Sequence, residues 1–140
     1  MGLRILLVDE NPVFRASVVQ LLGRIPGANV VCQVPSVGDA RTLLTQWRPD
    51  LVLMDVTAAR TGCLEMAQAL REASVRPKVV CLSIYDEPQY RLASAELGTT
   101  FVSKADLVAE LLPILEQLGM QMPPAWQPTM PPDDAVDVSI

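Results

Sequence analysis

The sequence predicts an α/β fold made of five consecutive βα units around a parallel sheet. Three observations carry that expectation. Short apolar runs recur at regular intervals: LRILLV (3–8), NVVCQV (29–34), DLVLM (50–54), KVVCLS (78–83) and TTFVS (99–103). Each is rich in Leu or β-branched residues and gives way to polar or turn residues, the pattern of strands buried on both faces. Helical periodicity fills the intervals, over 12–25, 36–47, 64–73, 87–97 and 105–118. Regular alternation of the two kinds calls for right-handed crossovers and a parallel sheet. Five units in about 119 residues suit a flavodoxin-like three-layer sandwich with strand order 2-1-3-4-5, whereas an eight-fold barrel needs roughly 200 residues or more.

Local signals place the elements. In the first helix Phe14, Val18, Val19, Leu21, Leu22 and Ile25 recur at helical spacing. Asn11 ahead of it is a good N-cap, and Pro12 fits the first helical position, where a missing N–H costs nothing. The second helix opens on S-x-x-D at Ser36, a weaker form of the capping box. Gly27, Gly98 and Gly119 stand where helices should end. Pro113 lies inside the last helical pattern and predicts a kink or a late start, because it cannot donate to the carbonyl four residues back. The packed domain is expected over 1–119. Beyond it the composition shifts: the stretch from Gly119 holds five of the twelve prolines, three acids and no Lys or Arg. Residues 120–140 therefore read as a Pro-rich acidic tail or interdomain linker, too short for a further helix-turn-helix module. Trp126 and Met120, Met122 and Met130 are more apolar than a spacer needs, which leaves docking on the domain or on a partner open.

Composition narrows the functions. Half of the 140 residues are hydrophobic but only 4% aromatic, so one core of Leu, Val, Ile and Ala can form. The net charge is -5 with no Lys/Arg cluster, so direct nucleic-acid binding by this segment is not expected. No run of 18 apolar residues and no signal-peptide pattern is present, which predicts a cytoplasmic chain without membrane contact. There is no histidine. Ser-His-Asp and Cys-His catalysis, His metal ligation and a His phosphoacceptor are thereby excluded. Cys32, Cys63 and Cys81 are far apart with no CxxC pair, as expected of reduced, buried thiols.

In doubly wound sheets, ligands bind outside the carboxyl ends of the strands. Strand 1 ends in Asp9-Glu10, strand 3 in Asp55, strand 4 in Ser83 and strand 5 in Ser103-Lys104. Each alone is ordinary, since a strand-end Asp is most often a turn former. The order 2-1-3-4-5 makes strands 1, 3, 4 and 5 neighbours, so these groups should converge on one rim. Crowded carboxylates repel unless a cation or proton joins them, and oxygen ligands with retained waters suit Mg²⁺. Beside such a metal Asp55, already ionised, can attack phosphorus and become an acyl phosphate. Lys104 would hold the anion and neutralise its charge, and Ser83 would bond one oxygen.

The stretches ILLVDENPVFR, PDLVLMD, VVCLSIYDEPQY and LGTTFVSKAD resemble receiver domains of two-component response regulators, over residues 3 to about 118. The last two look most like receivers of LuxR-type transcription regulators. The resemblance implies that Asp55 is the phosphoacceptor, served by a sensor histidine kinase. It implies Mg²⁺ held by Asp9, Glu10, Asp55 and the backbone carbonyl of Thr57, with Lys104 contacting the phosphoryl group. It further implies Ser83 as the switch hydroxyl, Phe101 as the switch aromatic, and a homodimer through the strand 4 to strand 5 face. Enzymatic activity would extend at most to Mg²⁺-dependent self-phosphorylation and self-dephosphorylation.

Two departures stand out. After Asp55 comes VTAARTG, without the family's Met-Pro-Gly and with Gly62 seven residues on rather than eight. After Lys104 comes Ala105, where the family usually has a proline, often behind a cis bond; a cis bond before a non-proline costs about 2.5–4 kcal/mol. Either that strain is retained or the Lys104 loop runs differently. These departures motivate an alternative, an atypical receiver that works by protein contact without regulated phosphorylation. Haloacid dehalogenase-type phosphatases need a second Asp two residues past the first, where this chain has Thr57. Cobalamin carriers need a His, and DENPVF is not the phosphate loop of an FMN-binding flavodoxin.

Overall fold

The computed structural model describes residues 2–55, 60–73, 76–84, 92 and 98–122. Five strands, β1 (Leu3–Val8), β2 (Ala28–Val34), β3 (Leu51–Asp55), β4 (Lys78–Ser83) and β5 (Thr100–Ser103), form one sheet in the order β2-β1-β3-β4-β5. Every neighbouring pair is parallel. The described helices are α1 (Pro12–Gly23), α2 (Ala40–Trp47), α3 (Arg60–Glu72) and α4 (Leu107–Gln117), the last entered through a 3-10 turn at Lys104–Asp106. The expected fold class and strand order are those observed.

The continuous apolar runs have a simple cause. Successive side chains of a strand point to opposite faces, and here both faces are covered. Ile5, Leu7, Leu53, Leu82 and Val102 pack with Val18 and Leu22 of α1 and Leu111 and Leu115 of α4. Leu6, Val8, Val52, Met54 and Cys81 pack instead with Leu44 of α2 and Met66 and Ala69 of α3. Fully burying each such side chain contributes about 1.5–3 kcal/mol. The central strand β3 is buried from end to end, its terminal Asp55 included. The chain leaves β1 and β3 in different directions, to α1 on one face and α3 on the other. That divergence opens a crevice at their carboxyl ends, between Asp9 and Asp55.

Several boundaries differ from the sequence expectation. The second helix starts at Ala40, not Ser36. Gly38 takes a left-handed φ of +58°, through which no right-handed helix runs, and Asp39 caps the helix by accepting from Thr42 N and Thr42 Oγ1. These bonds hold the Asp39 carboxyl below its ordinary range. A depressed folded value means that the cap contributes fully above about pH 3.9 and is lost as pH falls through the folded value. Asp39→Ala should therefore lower the melting temperature at neutral pH, and the gap to wild type should close in acid thermal melts.

The third helix begins at Arg60, four residues ahead of the expected 64, so Gly62 lies within it instead of ending the loop. Gly costs a helix interior about 1 kcal/mol, and the helix accepts Gly62 there nonetheless. The last helix starts at Leu107, after the 3-10 turn, and runs on through Pro113, which lies on its exposed side, so the proline does not delay its start. The expected helix over 87–97 lies outside the described residues apart from Leu92. Past Gly119 (φ +93°) the chain turns back on the domain: Met122 is buried in the α1/α4 core and Met120 packs against it. The remainder of the tail, with Trp126, lies outside the described residues.

Of the thiols, Cys81 is buried beside Thr99, 3.2 Å from its hydroxyl. Cys32 is half-buried, and desolvation pushes its thiol pKa up. The side chain of Cys63 lies outside the described residues. Among the described residues no helix is long and apolar enough to cross a membrane.

Candidate functional site

Register assembles the site. Val8 pairs with Met54, so the next residues, Asp9 and Asp55, leave the sheet side by side. Asp55 itself pairs with Leu82, which puts it one residue from Ser83, and Ser83 pairs with Ser103. Lys104 follows directly. Its ammonium reaches back over the crevice, 2.7 Å from Asp9 Oδ2 and 3.3 Å from Asp55 Oδ1. All three side chains are at least nine-tenths buried, so this is an ion cluster largely withdrawn from water.

Asp9 is the most constrained member. Its N–H donates to Val34 O of the neighbouring strand. Its Oδ1 accepts from Asn11 N at 2.8 Å, while Asn11 Oδ1 accepts from Val13 N and Phe14 N as the cap of α1. The Asp9 carbonyl accepts from Arg15 Nη1 at 2.6 Å. Asp9 Oδ2 is buried and accepts no well-angled hydrogen bond; its contact with Lys104 is electrostatic only. A buried carboxylate oxygen needs a cation beside it, and here the Lys104 ammonium fills that place.

The other residues singled out in the sequence fall as follows. Ser83 is fully buried at the end of β4. Phe101 is half-buried on β5 opposite Cys81, and by alternation with Val102 lies on the α2/α3 face of the sheet. Glu10 is exposed, and its carboxylate makes no ion pair or hydrogen bond among the described residues. Thr57 lies outside the described residues.

Could these residues hold Mg²⁺? Among the described residues no three of His, Cys, Asp and Glu already stand together as a metal cluster. The donor chemistry nevertheless fits: two buried carboxylates side by side, with Glu10 next in sequence and exposed. Hard oxygen donors with room for water are what Mg²⁺ takes.

Two contacts were not foreseen. Phe14, read in the sequence as core, lies 4.2 Å from the Lys104 ammonium at its ring centroid, a cation–π contact worth about 1 kcal/mol. The cue was its place in the first turn of a helix that begins beside the acidic pair. Arg15, one residue on, fastens the Asp9 backbone, and nothing in the periodicity marked it.

Residues 5–116 match the response regulator receiver domain family. The chain belongs to that family. This receiver is 26% identical over 117 residues to "Response regulator GacA" of Pseudomonas aeruginosa, covering 83% of this chain and 55% of that protein. It is 29% identical over 114 residues to "Nitrate/nitrite response regulator protein NarL" of Escherichia coli strain K12, covering 81% and 53%. The receiver thus spans about half the length of the curated relatives it matches. Among solved structures it superimposes on a LuxR-family two-component response regulator from Aurantimonas sp. SI85-9A1 with a TM-score of 0.73 and 28% identity, covering 99% of this chain and 96% of that one. The receiver's departure at Ala105 also takes a definite form. No cis peptide bond occurs among the described residues, and the chain goes straight from β5 into the 3-10 turn with Lys104 still on both acids.

Proposed function

We propose that this receiver accepts a phosphoryl group on Asp55 from a sensor histidine kinase and switches conformation to control an output. The observation that supports this best is the Lys104 ammonium lying within 2.7 Å of Asp9 and 3.3 Å of Asp55 at the carboxyl ends of β1, β3 and β5. Members of this family are activated by sensor histidine kinases. In the transfer, a carboxylate oxygen of Asp55 forms the new P–O bond as the P–N bond to the donor's histidine breaks. Asp9, Glu10, Asp55 and the Thr57 carbonyl would hold Mg²⁺, which supplies charge neutralisation at the phosphoryl oxygens. Lys104 exchanges its contact with Asp55 for a phosphoryl oxygen. Ser83 donates its hydroxyl to another, and Phe101 turns inward into the space that movement vacates. The β4–β5 face then pairs two copies. Transcription is the output that fits, given the relative named as a transcriptional regulatory protein, DegU of Brevibacillus brevis. The setting is cytoplasmic, and this segment itself contacts neither nucleic acid nor membrane.

The test is intact-mass measurement after incubation with Mg²⁺ and acetyl phosphate. Wild type should gain one phosphoryl group and Asp55→Asn none. No gain in wild type, beside a gain in another receiver treated alike, would overturn the proposal.

A second reading has one observation in its favour. Lys104 already neutralises part of the acid pair while Glu10 faces outward, as suits a receiver that works by protein contact without regulated phosphorylation. It requires partner binding unchanged by Asp55→Asn and no Mg²⁺ binding at millimolar concentration.

A further inference from the structure

We infer that Glu110 is the positioning residue that holds Lys104 in the site, in the role that this chain cannot give to a residue after the lysine. Lys104 begins a 3-10 turn whose N-cap, Ser103, makes no side-chain capping bond. The following helix α4 has Asp106 at its N-cap, and that side chain makes no capping bond either. The segment carrying Lys104 therefore lacks both of the local fastenings that usually fix a helix entry. Glu110, in the first turns of α4, supplies one from seven residues away: its Oε1 accepts from Ser103 N at 3.1 Å.

Ser103 is 2% exposed and is the last residue of an edge strand. Its buried N–H needs an acceptor, and a carboxylate gives a stronger bond than a neutral group. Fixing the Ser103 amide fixes the backbone from which the Lys104 side chain starts. Ammonium-to-carboxylate distances of 2.7 and 3.3 Å depend on that starting point. Phe14 then meets the far end of the side chain. Glu110 bonds the Ser103 amide and acts on the site through Lys104. Its effect on phosphoryl transfer rests on the proposed function; its effect on Lys104 placement does not.

The chain has only two lysines, Lys78 and Lys104, at opposite ends of the sheet. Competitive acetylation with peptide mapping therefore reports Lys104 directly, with half-buried Lys78 as an internal standard. In wild type Lys104 should label more slowly than Lys78. Glu110→Ala should raise the Lys104/Lys78 labelling ratio about ten-fold, the weight of a charge-assisted hydrogen bond. Glu110→Gln, which keeps an acceptor oxygen, should stay near wild type. An unchanged ratio in Glu110→Ala, or a rise at both lysines together, would overturn the inference, the latter by showing general loosening. Phosphorylation by acetyl phosphate should slow in Glu110→Ala, recover in Glu110→Gln, and fall no further when Glu110→Ala is added to Lys104→Met. An equal further fall in that background would also overturn it. Wild type that takes no phosphoryl group while its labelling behaves as expected would sink the phosphoacceptor reading and leave Glu110 as the residue that seats Lys104.

Discussion

Lys104→Met should lose about 3 kcal/mol of unfolding free energy in metal-free buffer, and millimolar Mg²⁺ should restore part of it. The methionine keeps an apolar stem beside Phe14, so the packing change is small. What disappears is the ammonium that Asp9 and Asp55 share, their side chains being 0% and 10% exposed. Two like charges then face each other in a crevice that gives them little water, and one must take up a proton or bind a cation. A metal bound only by the folded state stabilises it by mass action. Wild type should gain less from Mg²⁺ than the variant, because its ammonium already neutralises part of the pair. Urea unfolding with and without Mg²⁺ measures both quantities. A variant as stable as wild type in the absence of metal would mean that the two carboxylates are not held together as described.

Asp9→Asn separates metal binding from folding. The amide oxygen can still accept from Asn11 N, and Lys104 keeps Asp55 as its partner, so stability should stay within about 1 kcal/mol of wild type. The buried ionic oxygen donor is gone. Mg²⁺ affinity, measured by titration, should fall at least ten-fold, about the scale seen when even an outer partner of a metal ligand is removed. Phosphorylation by a small donor should fall with it. Unchanged affinity in Asp9→Asn would place the metal elsewhere.

The sequence disclosed most of what positions this site. Strands buried on both faces leave continuous apolar runs, and the polar residues that interrupt them are by construction the strand ends. Asp9, Asp55 and Lys104 were therefore visible as soon as the strand order was assigned, and the structure brings them within ion-pair distance. The fold class was legible for the same reason. Helix starts were less so. Ser36 carries a capping pattern as good as that of Asp39, and only the backbone at Gly38 decides between them. Arg15 and Glu110 could not be read at all, and Phe14 only from its place in the first turn of α1. Each acts through one contact made across elements, and such contacts leave no period in the sequence: Phe14 has the spacing of a core residue, and Glu110 looks like any acid near a helix start. Glu10 shows the opposite case. Its neighbourhood to Asp9 in sequence pointed to the crevice, yet one residue along the chain is enough to turn a side chain to solvent.

The central claim is that the carboxylate of Asp55 becomes the acyl phosphate. Borohydride reduces an acyl phosphate to the alcohol, so treating the phosphorylated receiver and mapping its peptides marks the acceptor residue itself. The expected result is a reduced side chain at Asp55 in wild type, dependent on Mg²⁺, and none in Asp55→Asn. Reduction at any other residue, or at Asp55 to the same extent without Mg²⁺ and phosphodonor, would contradict it.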